Sequence, residues 1–247
     1  MTDISLPAAV AGTTFQPPIG LSLSRVFNRA GSVLSRNFAA FAAASAIAAA
    51  PTNMASSMPG PQSGPAGAAI LGLWLLGTVL SVFRDAIIVH GAFSDLRGRP
   101  FDLMESFRVS LQRFLPLLML ELLVALSVAL GLLAFIVPAV LMVVMWYLAF
   151  PACIIEGRGA LSSMGRSAEL TRGRRWKIFG LLAVVVLLAI GAFAANGVVA
   201  SASRVISGET GALMATTLVS GMISAFSTIY MTVVYHELRV AEEGNNV

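Results

Sequence analysis

Apolar residues gather along this chain into blocks about twenty residues long, separated by short polar or basic stretches. About 20 helical residues cross a bilayer's hydrocarbon core. Six blocks meet that length, at about 36–54, 67–89, 114–136, 138–156, 176–197 and 212–235. The first is alanine-rich (Phe38 to Ala50) and contributes least per residue to insertion. Pro138 divides the third from the fourth, which predicts a tight hairpin. Three other segments are amphipathic with helical spacing. In 21–38, Val26, Phe27, Ala30, Val33, Leu34 and Phe38 oppose Arg25, Arg29, Ser32 and Arg36. In 102–114, Asp102 and Glu105 form an Asp-x-x-Glu cap ahead of Leu103, Phe107, Leu111 and Phe114. In 158–172, Ala160, Leu161, Met164 and Ala168 oppose Arg166, Glu169 and Arg172. Such helices either lie in the headgroup plane or extend the spans and pack on one another; the pattern allows both.

Composition narrows the class. Hydrophobic residues make up 57% of the 247, with 22 glycines besides, whereas charged residues make up 11% and mean hydropathy is +0.85. A soluble domain of this size cannot bury so much apolar surface. The expected fold is an all-α polytopic membrane protein, with about six transmembrane helices and short amphipathic cytoplasmic helices. Residues 1–20 hold Thr13, Thr14, Gln16, Pro17 and Pro18 and no basic region before a short apolar core. They predict a disordered leader ahead of a membrane domain over 21–243, and not a signal peptide. Residues 51–66, uncharged and with four prolines, predict a flexible periplasmic loop, and 198–211 a polar one ending Ser207-Gly208-Glu209-Thr210.

Basic residues orient these spans. Three precede the first span, five (Arg84, Arg97, Arg99, Arg108 and Arg113) lie at or between the facing ends of the second and third, six between the fourth and fifth, and one after the sixth. Of the 16, only Arg204 falls on the other side. The positive-inside rule then places both termini in the cytoplasm of a bacterial cytoplasmic (inner) membrane.

Little points to catalysis. Cys153 is a single cysteine, read as packing, and His90 and His236 are too few for a metal site and sit near helix ends, where solvation is expected. No nucleophile–base pair, metal cluster or phosphate loop is present, so no enzyme activity, metal or cofactor is expected. The net charge of +4 is assigned to anionic lipid headgroups rather than nucleic acid.

Two groups of residues carry site hypotheses. The densest cluster, Arg172, Arg174, Arg175, Trp176 and Lys177, follows a helix stop at Gly173. It reads either as a positive-inside anchor or as a lipid-headgroup site. Within the spans, Glu121 lies eight residues past Arg113, about 12 Å in, and Arg84-Asp85 lies at comparable depth in the second span. An Arg84–Glu121 pair is therefore expected, as a structural ion pair or as part of a polar site for a headgroup or ion, with snorkelling as the remaining alternative.

The run Arg166-Ser167-Ala168-Glu169-Leu170-Thr171-Arg172-Gly173-Arg174-Arg175-Trp176-Lys177-Ile178-Phe179-Gly180 resembles a signature of the membrane domain of membrane-bound glycerophosphodiester phosphodiesterases and its stand-alone bacterial relatives. Leu96-Arg97-Gly98-Arg99-Pro100, the Val137-Pro138 turn, and Phe150-Pro151 through Glu156-Gly157 are similar too, and the likeness covers roughly 21–243. Ala139 departs from it, where glycine is expected. The resemblance implies a six-helix membrane domain without the phosphodiesterase activity, whose metal-binding barrel has no counterpart here. Similar pieces at the two ends, Leu34-Ser35-Arg36-Asn37 with Leu170-Thr171-Arg172-Gly173 and Asp95-Leu96-Arg97 with Glu237-Leu238-Arg239, raise a parallel repeat of 21–99 and 158–241 around the hairpin 114–156.

Three function classes follow. The favoured one is a non-catalytic module of lipid or envelope homeostasis, or a scaffold, whose partners are anionic lipids, another membrane protein or a second copy. The alternative is a small transporter or lipid-handling protein with a polar site near Arg84 and Glu121. The third, an enzyme at the membrane surface, has the least support.

Overall fold

A computed structural model describes residues 22–58 and 64–243, and all its regular structure is helical. The expected leader, 1–20, lies outside the described residues. The amphipathic segment at 21–38 gives α1 (Leu23–Arg36), which buries Val26, Ala30 and Val33, one residue per turn, and leaves its arginines outward. The alanine-rich block gives α2 (Phe38–Ser57), and the second block gives α3 (Pro65–Leu96). The described residues of 51–66 are therefore mostly helical rather than loop. Their alanines and serines sustain α2 past Pro51, and Pro65 opens α3 at a first-turn position where its missing N–H costs nothing.

The amphipathic segment 102–114 and the third span form one helix, α4 (Leu103–Ala134). The Asp102 carboxylate caps it, accepting from the backbone N–H of Met104 at 2.8 Å and of Glu105 at 3.2 Å. Its apolar stripe stays outward at Leu103, Phe107 and Leu111, while Ser106 and Ser110 turn inward. One extended residue, Phe135, turns the chain into α5 (Ile136–Trp146), which confirms a tight hairpin. A methyl on Gly131 would meet the Ala139 backbone at 3.0 Å. Gly131 thus lets α4 and α5 approach closely at Ala139.

The fourth span is interrupted: α5 stops at Trp146, and α6 (Ala149–Ile155) resumes after Tyr147 and Leu148. Glu156-Gly157 then turns the chain into α7 (Ala160–Thr171), whose Ser163, Met164, Ser167, Leu170 and Thr171 are buried. Both α1 and α7 thus pack their inner faces on the bundle.

The last helix, α8 (Arg175–Glu243), breaks at Gly208, where φ is 72° and ψ −168°. Its two parts, 175–207 and 209–243, run antiparallel. The Tyr230 hydroxyl reaches the Leu181 carbonyl at 3.5 Å, Leu188 shares a groove with Met222 and Ile223, and Arg204 pairs with Glu209 at 3.0 Å. A single glycine in the left-handed region replaces the polar loop expected at 198–211. Ser201 and Ser207 stay helical by donating to carbonyls one turn back.

Five helical segments are long and apolar enough to cross a membrane: Phe38–Ser57, Pro65–Leu96, Leu103–Ala134, Ile136–Ile155 and Arg175–Glu242. The last is folded back on itself at Gly208. The core is not central. Val26 and Val33 of α1, Ile88 and Phe93 of α3, Leu148, and Ile229, Val233 and Leu238 of α8 close it at the end that carries α1 and α7. Towards Gly208 the helices splay and expose Leu71, Leu130, Phe193 and Ile206, a surface suited to lipid chains. Gly77 and Gly221 sit in tight packing: an added methyl would meet the Thr52 hydroxyl at 2.0 Å and the Ser45 backbone at 3.0 Å. Gly72 and Gly191 face open space.

Candidate functional site

The interruption in the fourth span is held open by one side chain. Ser167 of α7, fully buried, donates its hydroxyl to the Met145 carbonyl at 2.8 Å and accepts from the Leu148 N–H at 3.1 Å. In a continuous α-helix the Met145 carbonyl would take the Ala149 N–H and the Leu148 N–H the Val144 carbonyl; here both groups bond Ser167 across elements instead. The serine of the Arg-Ser signature therefore has a specific task, which sequence reasoning missed because its partners are backbone atoms some 20 residues away.

Beside the break lies a cavity of about 220 Å³, lined by Asp85, Glu121, Trp146, Tyr147, Phe150 and Thr228 among others. The buried Tyr147 hydroxyl has no hydrogen-bond partner there. The expected Arg84–Glu121 pair does not form. Arg84 instead wraps onto its neighbour Asp85, with Nε to Oδ1 at 3.0 Å and Nη2 to Oδ1 and Oδ2 at 2.8 and 3.0 Å. Adjacent side chains on a helix diverge by about 100°, yet the arginine stem is long enough to close the gap. The Thr228 hydroxyl adds a 2.7 Å bond to Asp85 Oδ1, so the carboxylate is gripped from two helices. Glu121 shares the cavity with Asp85 and forms no ion pair among the described residues.

Arg84 also lines a second cavity, of about 300 Å³, on the Gly208 side of the pair. Thr52, Asn53, Thr78, Ser81, Ser220 and Ser224 supply its polar walls. Asn53 donates to the Thr217 and Ser220 hydroxyls at 3.1 Å each, and it also borders a third cavity that opens near Arg204 and Glu209. Hydroxyls and the amides of Asn53 and Asn196 thus line two cavities between the Gly208 end and the Arg84–Asp85 pair, with Asn53 common to both.

At the opposite end the helices are tied by charge. Arg29 of α1 bonds Glu237 of α8, and Arg36 bonds Asp95 of α3 at 2.5 Å. Glu156 accepts from the Tyr235 hydroxyl at 2.6 Å and from Arg166 Nε at 3.1 Å, and pairs with Arg158 at 2.5 Å. Arg166 reaches on to Glu242 at 2.9 Å. Burial alone would push the Glu156 carboxyl up; the bonds from Tyr235 and Arg166, with the charges of Arg166 and Arg158, outweigh it and hold the group below the ordinary carboxylate value. Gly157, at φ 66°, leaves room for Arg113, whose Nη1 donates to the Gly157 carbonyl at 2.7 Å. These ion pairs close this end of the bundle, away from Gly208.

The basic cluster lies at the closed end, on the turn from α7 to α8. Gly173, at φ 75°, stops α7 as expected. Arg172, Arg175, Trp176 and Lys177 are exposed, Trp176 by 86%, and Arg174 is half-buried. No carboxylate pairs with these cations among the described residues. The histidines differ from the solvated pair expected: His236 is buried against Phe93, and His90 is half-buried with Nδ1 3.0 Å from the Ser106 hydroxyl. Among the described residues no group of three His, Cys, Asp or Glu could hold a metal. No family model, curated protein or solved structure matches the chain.

Proposed function

We propose that this protein binds and transports a small solute across a bacterial cytoplasmic membrane, with both termini cytoplasmic and Gly208 facing out. One observation carries the reading: a span interrupted at Tyr147-Leu148 lines a cavity that reaches Glu121 and Asp85. Broken helices and intramembrane charges meet at the binding sites of transporters, because irregular backbone inside a bilayer is tolerated where it lines a cavity. The one-sided arrangement fits an outward-facing state. Its polar cavities lie on the Gly208 side, and the ion-paired end, with Glu156 and Arg166, serves as the closed inner gate.

The reading is tested with Thr228→Cys in a Cys153→Ser background, reconstituted and treated with an impermeant methanethiosulfonate. Thr228 is 7% exposed and lines the cavity. Reaction from either face in turn is expected of a site with alternating access. Reaction from one face only would reduce the protein to a binder, and none from either would refute a solvated site.

A second reading rests on the unpaired basic cluster. Exposed arginines beside a fully exposed indole suit an anionic headgroup surface, as a non-catalytic lipid- or partner-binding module of envelope homeostasis would use. The resemblance to the phosphodiesterase membrane domain supports such a module, and the two readings can coexist, since cluster and cavity are separate.

A further inference from the structure

We infer that the cavity beside the α5–α6 break is a binding site for a monovalent organic cation with an apolar body, such as a substituted ammonium. This rests on the transport reading and names the class of solute.

Charge comes first. Arg84 and Asp85 neutralise each other through three hydrogen bonds, with Thr228 completing the Asp85 shell. Glu121 adds one negative charge to the same cavity, with no ion-pair partner among the described residues. A single positive charge balances it.

Size and lining select the rest of the ligand. A volume of about 220 Å³ is several times the roughly 30 Å³ share of one water, and more than a bare metal ion fills. Trp146, Tyr147 and Phe150 provide aromatic surface, with Leu120, Val124 and Met231 beside them. Aromatic rings with one carboxylate recognise substituted ammonium groups by cation–π attraction and charge together. An inorganic cation would need several oxygen ligands in their place.

The test is equilibrium dialysis of labelled benzyltrimethylammonium against the whole protein in nanodiscs, with empty nanodiscs subtracted. Saturable binding is expected. Glu121→Gln, isosteric and uncharged, should weaken it about tenfold or more, a loss of about 1.4 kcal/mol, and Glu121→Asp should retain most of it. Benzenesulfonate, an anion of similar size, should not bind. Equal affinity in Glu121→Gln, stronger binding of the sulfonate, or no saturable cation binding would each overturn the inference, the last meaning that a proton alone neutralises Glu121. The labelling of Thr228→Cys reads separately. If it reacts from both faces while the cation fails to bind, the solute class is wrong and the transport reading stands.

Discussion

Asp85→Asn should be among the most destabilising single changes in this bundle, and Glu121→Gln should not be. The Arg84 side chain is 10% exposed and that of Asp85 25%. Removing the carboxylate's charge leaves a guanidinium that cannot release its proton, mostly buried and without its partner. Breaking a buried ion pair in this way costs about 3–5 kcal/mol. Replacing Arg84 by Gln on top of Asp85→Asn removes the stranded charge and should recover much of the loss. Glu121 has no ion-pair partner to strand, so Glu121→Gln should be neutral or mildly stabilising, and its effect should add to that of Arg84→Gln. Thermal unfolding of the detergent-solubilised variants measures all of these. A marked loss in Glu121→Gln, restored by Arg84→Gln, would restore the Arg84–Glu121 pair and refute the pairing described above.

Other outcomes follow from single contacts. Ser167→Ala leaves the Leu148 N–H and the Met145 carbonyl without their partner in a buried site, and should cost about 1–3 kcal/mol in the same unfolding assay; an unchanged midpoint would mean that the break holds without its stitch. Glu156 titrates below its ordinary value, so its contribution is present above that value and lost as pH falls through the lowered folded one. Stability of the wild type should fall across that acid window, and Glu156→Gln, less stable at neutral pH, should show a flatter acid limb. Gly221→Ala presses a methyl on the Ser45 backbone and should cost about 1–3 kcal/mol, whereas Gly72→Ala, facing open space, should not destabilise the protein. Replacing Arg172, Arg174 and Arg175 by lysine keeps charge but removes the bidentate forks; less co-purifying anionic lipid by mass spectrometry is expected, and equal retention would leave the cluster as an orientation anchor.

The helices and the amphipathic faces were legible because both depend on local pattern. Twenty apolar residues demand a helix in a bilayer whatever surrounds them, and Val26, Ala30 and Val33 declare an inner face by spacing alone. Gly173 and the Asp102 cap were equally local. The break at Tyr147-Leu148 had one local signal that was passed over, Pro151, which has no N–H for the Tyr147 carbonyl one turn back; the rest of the run is apolar, and Ser167, from another helix, completes the break. The partner of Arg84 was missed for a related reason. Depth matching favoured Glu121, while the actual partner is an adjacent residue that helical geometry alone would discount. The Gly208 turn looked like a loop because its serines are polar, yet their hydroxyls are absorbed by their own helix. The cavity itself, like the roles of Thr228, Tyr147 and Tyr235, depends on how three or four elements meet.

The central claim, a solvated cavity at Glu121, is tested most directly by comparing two neighbours on α4. Glu121→Cys and Leu122→Cys, each in the Cys153→Ser background, are treated in proteoliposomes with an impermeant, charged thiol reagent. Both positions are exposed on the helix, but only Glu121 lines the cavity. The account predicts rapid labelling at 121 and almost none at 122, where lipid excludes the reagent. Equal protection of both would contradict it.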